Sequence, residues 1–130
     1  MIMNSATWIY DTLKGDSTIS GKVGDRVYRD SAPEGTEFPF IAYQLIDSVP
    51  VSNAFKDTLM NAERWQIKAV DKGNDYGNID TLVAQIITLF HKGKSSGVIS
   101  STFEFYLTSS EIDNGVTFKT GTLEFRLNTQ

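Results

Sequence analysis

The stretch ERWQIKAVDKGNDYGNIDTLVAQIITLF, residues 63–90, decides the fold because it passes from the periodicity of a strand to that of a helix. Arg64 to Val70 alternates between apolar and polar residues, which predicts a strand whose buried face holds Trp65, Ile67 and Ala69. A short polar turn then leads into the helix. The stretch therefore predicts a domain that combines a sheet with helices.

This helix is predicted to run from Asn78 to Lys92. Its apolar residues recur at the i, i+3, i+4, i+7 spacing of one buried stripe: Ile79, Leu82, Val83, Ile86, Leu89 and Phe90. Asn78 is the expected N-cap, and Gly93 is expected to end the helix. The negative charge of Asp80 in the first turn interacts favourably with the helix dipole.

The remaining elements follow the same rules. Asn4 to Lys14 is predicted to be a helix, and Gly15 to Asp25, rich in Gly, Ser and Asp, a loop. Phe40 to Val49 has two largely apolar faces and is predicted to be a central strand, while Thr102–Thr108 and Val116–Asn128 complete the sheet. We therefore predict an α+β fold: a four-stranded, mainly antiparallel or mixed sheet with two helices packed on one face.

The two C-terminal strands carry further signals. One face of the first is expected to hold Phe103, Phe105 and Leu107. The sequence DNG at residues 113–115 supplies the turn of a hairpin. In the second strand Val116 and Phe118 have the opposite parity to the apolar residues that follow, so a bulge or bend is predicted near Gly121.

A long loop between the first two strands is predicted from Ser48 to Glu63. Connections of this length are often functional or mobile. This one also carries apolar residues: Val51, Phe55, Leu59 and Met60. Either these residues extend the two strands or tuck onto the core, or the segment is an arm that packs against another subunit.

The composition sets outer limits on function. A chain of 130 residues is most simply one domain, residues 1–130, and the absence of cysteine excludes disulfides. No apolar run approaches the ~20 residues of a membrane span, and the N-terminus lacks a secretion signal, so we expect a soluble protein made in a cytoplasm. The net charge of −4 argues against tight nucleic-acid binding but permits a surface past which DNA slides.

Catalytic chemistry finds little support in the residues. His91 is the only histidine, and at a helix end it is interpreted as a cap instead of a base or metal ligand. Asp71 and Asp75 flank a turn and lack the ligand spacing of a calcium loop. No nucleophile elbow or phosphate-binding loop occurs. We expect no enzyme activity, no metal and no cofactor.

Several stretches resemble the small tail-completion or tail-terminator proteins of long-tailed bacteriophages. In that family a short N-terminal helix is followed by an Arg-Val-Tyr-like strand, a Pro/Gly loop and an aromatic-Pro-aromatic strand start. Here the matching positions are Arg26, Val27, Tyr28, Pro33, Gly35, Phe38, Pro39 and Phe40. Residues 63–90 and the C-terminal GTLEFRL segment also fit the family pattern.

The resemblance implies an assembly function. Such a protein caps the finished tail tube as a ring, commonly of six subunits, and offers a surface to the head–neck connector. Its partners would be other copies of itself, the tail tube protein and the connector protein, with DNA passing through the channel. The implied location is the tail–neck region of the virion, after synthesis in the bacterial host. Alternatives are another neck or head-completion protein and a stand-alone ligand-binding domain.

A ring requires two different patches on each subunit. Candidates lie in the long loop and in the Pro/Gly loop, and further candidates are aromatic or arginine residues, which often anchor interfaces. The candidate interface residues are Arg29, Glu34, Phe38, Val51, Phe55, Lys56, Asp57, Leu59 and Tyr106. For Tyr28 and Phe38, packing within the subunit is the alternative.

Overall fold

The computed structural model describes residues 2–52, 59–92 and 98–129. Its elements in chain order are α1 (Ile2–Gly15), α2 (Ser17–Val23), β1 (Val27–Arg29), β2 (Phe40–Ser52), β3 (Leu59–Lys72), α3 (Gly77–Phe90), β4 (Val98–Asp113) and β5 (Val116–Thr129). The strands form one sheet in the order β1-β2-β3-β5-β4. β1 runs parallel to β2 and every other pair is antiparallel, so the sheet is mixed.

The predicted α+β class is confirmed, but four strands and two helices are too few, because the described residues alone form five strands and three helices. β1 has only three residues and is held by parallel pairing with β2, which alternation in so short a segment does not reveal. The loop predicted from Gly15 to Asp25 is wrong because α2 lies within it. The Asp16 carboxylate caps α2 by accepting a hydrogen bond from the Ile19 N–H at 3.0 Å.

All three helices contribute to one core on a single face of the sheet. α1 supplies Ile9 and Leu13, while α2 supplies Ile19 and Val23, four residues apart. The sheet contributes the predicted Trp65, Ile67 and Ala69 from β3, together with Leu123, Phe125 and Leu127 from β5. We call this side the covered face and the opposite side the helix-free face.

The helix predicted from Asn78 to Lys92 is confirmed as α3, with different ends. Tyr76 occupies the N-cap position without a side-chain cap. Asn78 instead donates from Nδ2 to the Asp71 carboxylate at 3.0 Å. At the other end His91 is the C-cap and Lys92 takes a positive φ of 62°; Gly93 lies outside the described residues.

Gly121 allows α3 to approach the sheet. A Cβ atom there would lie 2.9 Å from a methyl carbon of Ile79 and 2.9 Å from one of Val83, distances that real Cβ atoms do not tolerate. The pairing between β3 and β5 continues through Gly121 without a register shift. The predicted bulge at Gly121 is therefore wrong, and the glycine serves close packing instead.

The long loop between β2 and β3 is shorter than predicted. The two strands stay paired as far as Ser52 and Leu59, and Val51 lies opposite Met60. This agrees with the alternative in which the apolar residues extend the strands. Phe55, Lys56 and Asp57 lie outside the described residues, so an interface at the tip stays a prediction.

Candidate assembly surfaces

A β-bulge in β4 places on opposite faces of the sheet residues for which the sequence alternation predicts a shared face. The register between β4 and β5 shifts between Phe103 and Phe105. Phe103 lies opposite Phe125 on the covered face, whereas Phe105 and Leu107 lie opposite Glu124 and Thr122 on the helix-free face. The prediction that Phe103, Phe105 and Leu107 share a face is therefore wrong, because Glu104 is the extra residue of a β-bulge.

Beyond this bulge β4 is exposed on both sides. Every residue from Glu104 to Gly115 is exposed, and the large apolar side chains of Phe105, Leu107 and Ile112 are 45%, 53% and 76% accessible. The hairpin ends in the predicted Asn-Gly turn, in which Asn114 and Gly115 have φ values of 50° and 78°. We call the segment Glu104–Gly115 the β4 arm.

The helix-free face carries a second aromatic cluster near the start of α3. Phe38 packs with ring centroids 5.4 Å from Phe40 and 5.4 Å from Phe118, and Tyr28 lies 6.5 Å from Phe40. The parity change in β5 thus reflects an apolar cluster on each face of the sheet. Tyr28 and Phe38 are half-buried in this cluster, which agrees with the packing alternative for both.

The same face also presents a basic stripe. Arg64, Lys68 and Lys72 of β3 alternate onto it, and Arg64 lies directly opposite Arg126 of β5. Like charges in opposed positions are unfavourable. Each arginine has one acidic neighbour at a long ion-pair distance: Arg64 Nη1 lies 4.0 Å from Asp47, and Arg126 Nε lies 3.5 Å from Glu104. Both guanidinium groups border an open groove of about 240 Å³ and remain available to an acidic partner.

The predicted interface residues do not form one patch. Arg29, at the end of β1, is exposed and lies over the Trp65 ring at 5.7 Å on the covered side. Glu34 is exposed in the loop between β1 and β2. Val51 and Leu59 lie in the paired strands of the β2–β3 hairpin. Their roles in an interface stay predictions.

Tyr106 lies in the β4 arm, opposite Leu123, and its side chain is 38% accessible. Burial raises the pKa of the Tyr106 phenol, and the nearby Asp80 and Tyr76 raise it further. The hydroxyl therefore stays protonated at neutral pH and can donate a hydrogen bond.

The polar residues considered for catalysis hold turns and helix ends. His91 accepts the Phe103 N–H through Nδ1 at 3.2 Å, and Asp75 accepts the Gly77 N–H at 3.0 Å. Within residues 2–52, 59–92 and 98–129, no group of three or more His, Asp or Glu side chains is arranged to hold a metal ion. None of the helices described is long and apolar enough to cross a membrane.

Three features were not predicted from the sequence: the exposure of Phe105 and Leu107, the position of Arg64 opposite Arg126, and the exposure of Ile112. Only the acidic, apolar composition of residues 104–113 hinted at a contact surface. Exposed apolar residues on an edge strand are typical of protein–protein contact.

The chain belongs to the family described as Tail completion protein gp17, whose model matches residues 7–128. This confirms the resemblance seen in the sequence and makes the chain a structural protein of a phage tail. No curated protein matches it. Among solved structures, a chain of "Virion of native gene transfer agent (GTA) particle" has a TM-score of 0.71 at 16% identity, covering 93% of this chain and 90% of that one. At this identity the likeness shows a shared fold.

Proposed function

We propose that the chain caps the finished tail tube as a ring of six subunits and forms the joint to the head–neck connector. Membership of the tail completion family over residues 7–128 is the observation that carries this proposal. The ring occupies the growing end of the tube, so no further tube subunit adds, and its centre leaves a channel for DNA.

The surfaces of the subunit support this assignment. A closed ring needs a heterologous interface, in which two unlike patches of neighbouring copies meet. The basic stripe of Arg64, Lys68 and Lys72 is one candidate patch, and the exposed loop residue Glu34, which follows β1 at the edge of the sheet opposite β4, is a candidate for an unlike, acidic one. The net charge of −4 suits a channel that DNA traverses without being held.

Electron microscopy tests the proposal directly. Tail tubes from particles that lack the chain are imaged with and without the purified protein. We expect a ring at one end of each tube and no growth of capped tubes when tube protein is added. Bare tube ends at saturating protein, with continued growth, would contradict the proposal.

A further inference from the structure

The two edges of the sheet differ in whether a further strand can join them. At the β1 edge, the outward Val27 N–H is bonded to the Asp25 carbonyl and the outward Arg29 carbonyl to the Ser31 N–H. Beyond β1, the edge of β2 is interrupted by a register shift between Leu45 and Asp47, and Pro50 has no N–H to donate. This edge is therefore short and interrupted, and it offers a joining strand few outward backbone groups in succession.

Within the described part of the chain, the β4 edge has no comparable protection beyond its bulge. Asp113 and Val116 flank a two-residue turn and therefore form a hydrogen-bonded pair. By alternation, the odd residues of the β4 arm bond to β5, and the even ones direct their backbone N–H and C=O groups outward. These outward residues are Tyr106, Thr108, Ser110 and Ile112. The arm contains no Pro, Lys or Arg, which are the residues that usually block an edge.

The side chains around this open edge define what fits it. Its charged residues are all acidic: Glu104, Glu111 and Asp113. Phe105 and Leu107 form an exposed apolar pair on the helix-free side. A joining strand would satisfy the outward backbone groups, cover these two apolar side chains and meet the carboxylates with Lys or Arg.

We propose that the β4 edge binds an extended basic strand of a different virion protein, which adds to the sheet as a sixth strand. The inference rests on the proposed ring. Because the β1 edge is short and interrupted, identical copies would join their sheets through β4 to β4, and such a two-fold pair stops at two subunits instead of closing a ring. The β4 edge is therefore available to a different protein that is adjacent in the tail, namely the tube protein or the connector.

A proline substitution separates the contribution of the backbone to partner binding from that of the side chains. Thr108→Pro removes an outward N–H without removing a bond to β5, so the protein is expected to keep its thermal stability. Binding to tail tubes or to purified connector, measured by co-sedimentation, should weaken about tenfold or more, because the partner's carbonyl is left without its donor. Thr108→Val keeps the N–H and should bind as the unmodified protein does.

A second variant and a second measurement cover the case in which Thr108→Pro fails to fold. Glu111→Gln with Asp113→Asn should weaken binding about threefold and reduce its salt dependence. Amide hydrogen exchange at Tyr106, Thr108, Ser110 and Ile112 should slow when the partner binds.

The outcomes separate this inference from the proposed ring. If rings form at tube ends while those four amides exchange unchanged, both with the tube and with the connector, the strand is absent and the ring stands. If Thr108→Pro alters self-association of the isolated protein, the occupant is a second copy and the inference is overturned. Bare tube ends with the unmodified protein would instead contradict the ring.

Discussion

The two faces of the sheet are built for different tasks. On the covered face Trp65, Leu123 and Phe125 are almost entirely buried beneath three helices. On the helix-free face the aromatic cluster is half-buried, while Phe105 and Leu107 are exposed. The comparison indicates that the covered face holds the fold together, and it favours our proposal that the helix-free face contacts other proteins of the tail.

Trp65→Ala should have the largest effect on stability. The Trp65 side chain is fully buried, and its Nε1 donates to the buried Glu63 carboxylate at 2.8 Å. We expect the free energy of unfolding to fall by about 3–5 kcal/mol, measured by chemical denaturation. Trp65→Phe keeps most of the packing but removes the donor, and should fall between Trp65→Ala and the unmodified protein. A loss below about 1 kcal/mol for Trp65→Ala would show that the covered face is not the source of stability.

Gly121→Val should come next, since the new side chain meets Ile79 and Val83 of α3. We expect a loss of about 1–3 kcal/mol from overpacking, measured by thermal unfolding. Gly21→Ala in α2 is the control: nothing lies within 4 Å of its added Cβ, and alanine should stabilise that helix by about 0.5–1 kcal/mol. Equal effects at the two glycines would contradict the close approach of α3.

Phe118→Ala probes the aromatic cluster of the helix-free face. Phe118 is half-buried and contacts Phe38, so we expect a loss of about 1–2 kcal/mol. If a bulge at Gly121 instead turned Phe118 into the main core, the loss would be about 3–5 kcal/mol. Urea denaturation of this single variant therefore decides between the two accounts of β5.

Much of the fold could be predicted because short stretches of the sequence carry strong local signals. The apolar stripe of α3, the alternation around Trp65 and the Asn-Gly turn at residues 114–115 each specify their element within a few residues. The strand ends were less predictable, because β2 and β3 extend through pairing with each other and not through their own periodicity.

The rest depended on contacts distant in sequence. β1 exists because Val27–Arg29 pairs with Ile41–Tyr43, and Gly121 is explained only by the position of α3. The bulge at Glu104 moves the apolar residues that follow it to the opposite face of the sheet. Simple alternation therefore predicts the wrong face for Phe105 and Leu107. Of the candidate interface residues, Tyr106 alone lies in the β4 arm.

The most direct test of the account combines Phe105→Thr with Leu107→Thr, and compares this double variant with Phe103→Thr two residues away. Because Phe105 and Leu107 are exposed, the double variant should lose less than about 1 kcal/mol of stability. Phe103 packs on Phe125 with ring centroids 5.6 Å apart, and its substitution should cost about 2 kcal/mol or more.

Thermal unfolding and binding to tube ends and connector are then measured on the same samples. The account predicts that the double variant is stable but no longer binds one of these two partners. A double variant that binds both like the unmodified protein, or that unfolds as readily as Phe103→Thr, would contradict the assignment of the helix-free face to assembly.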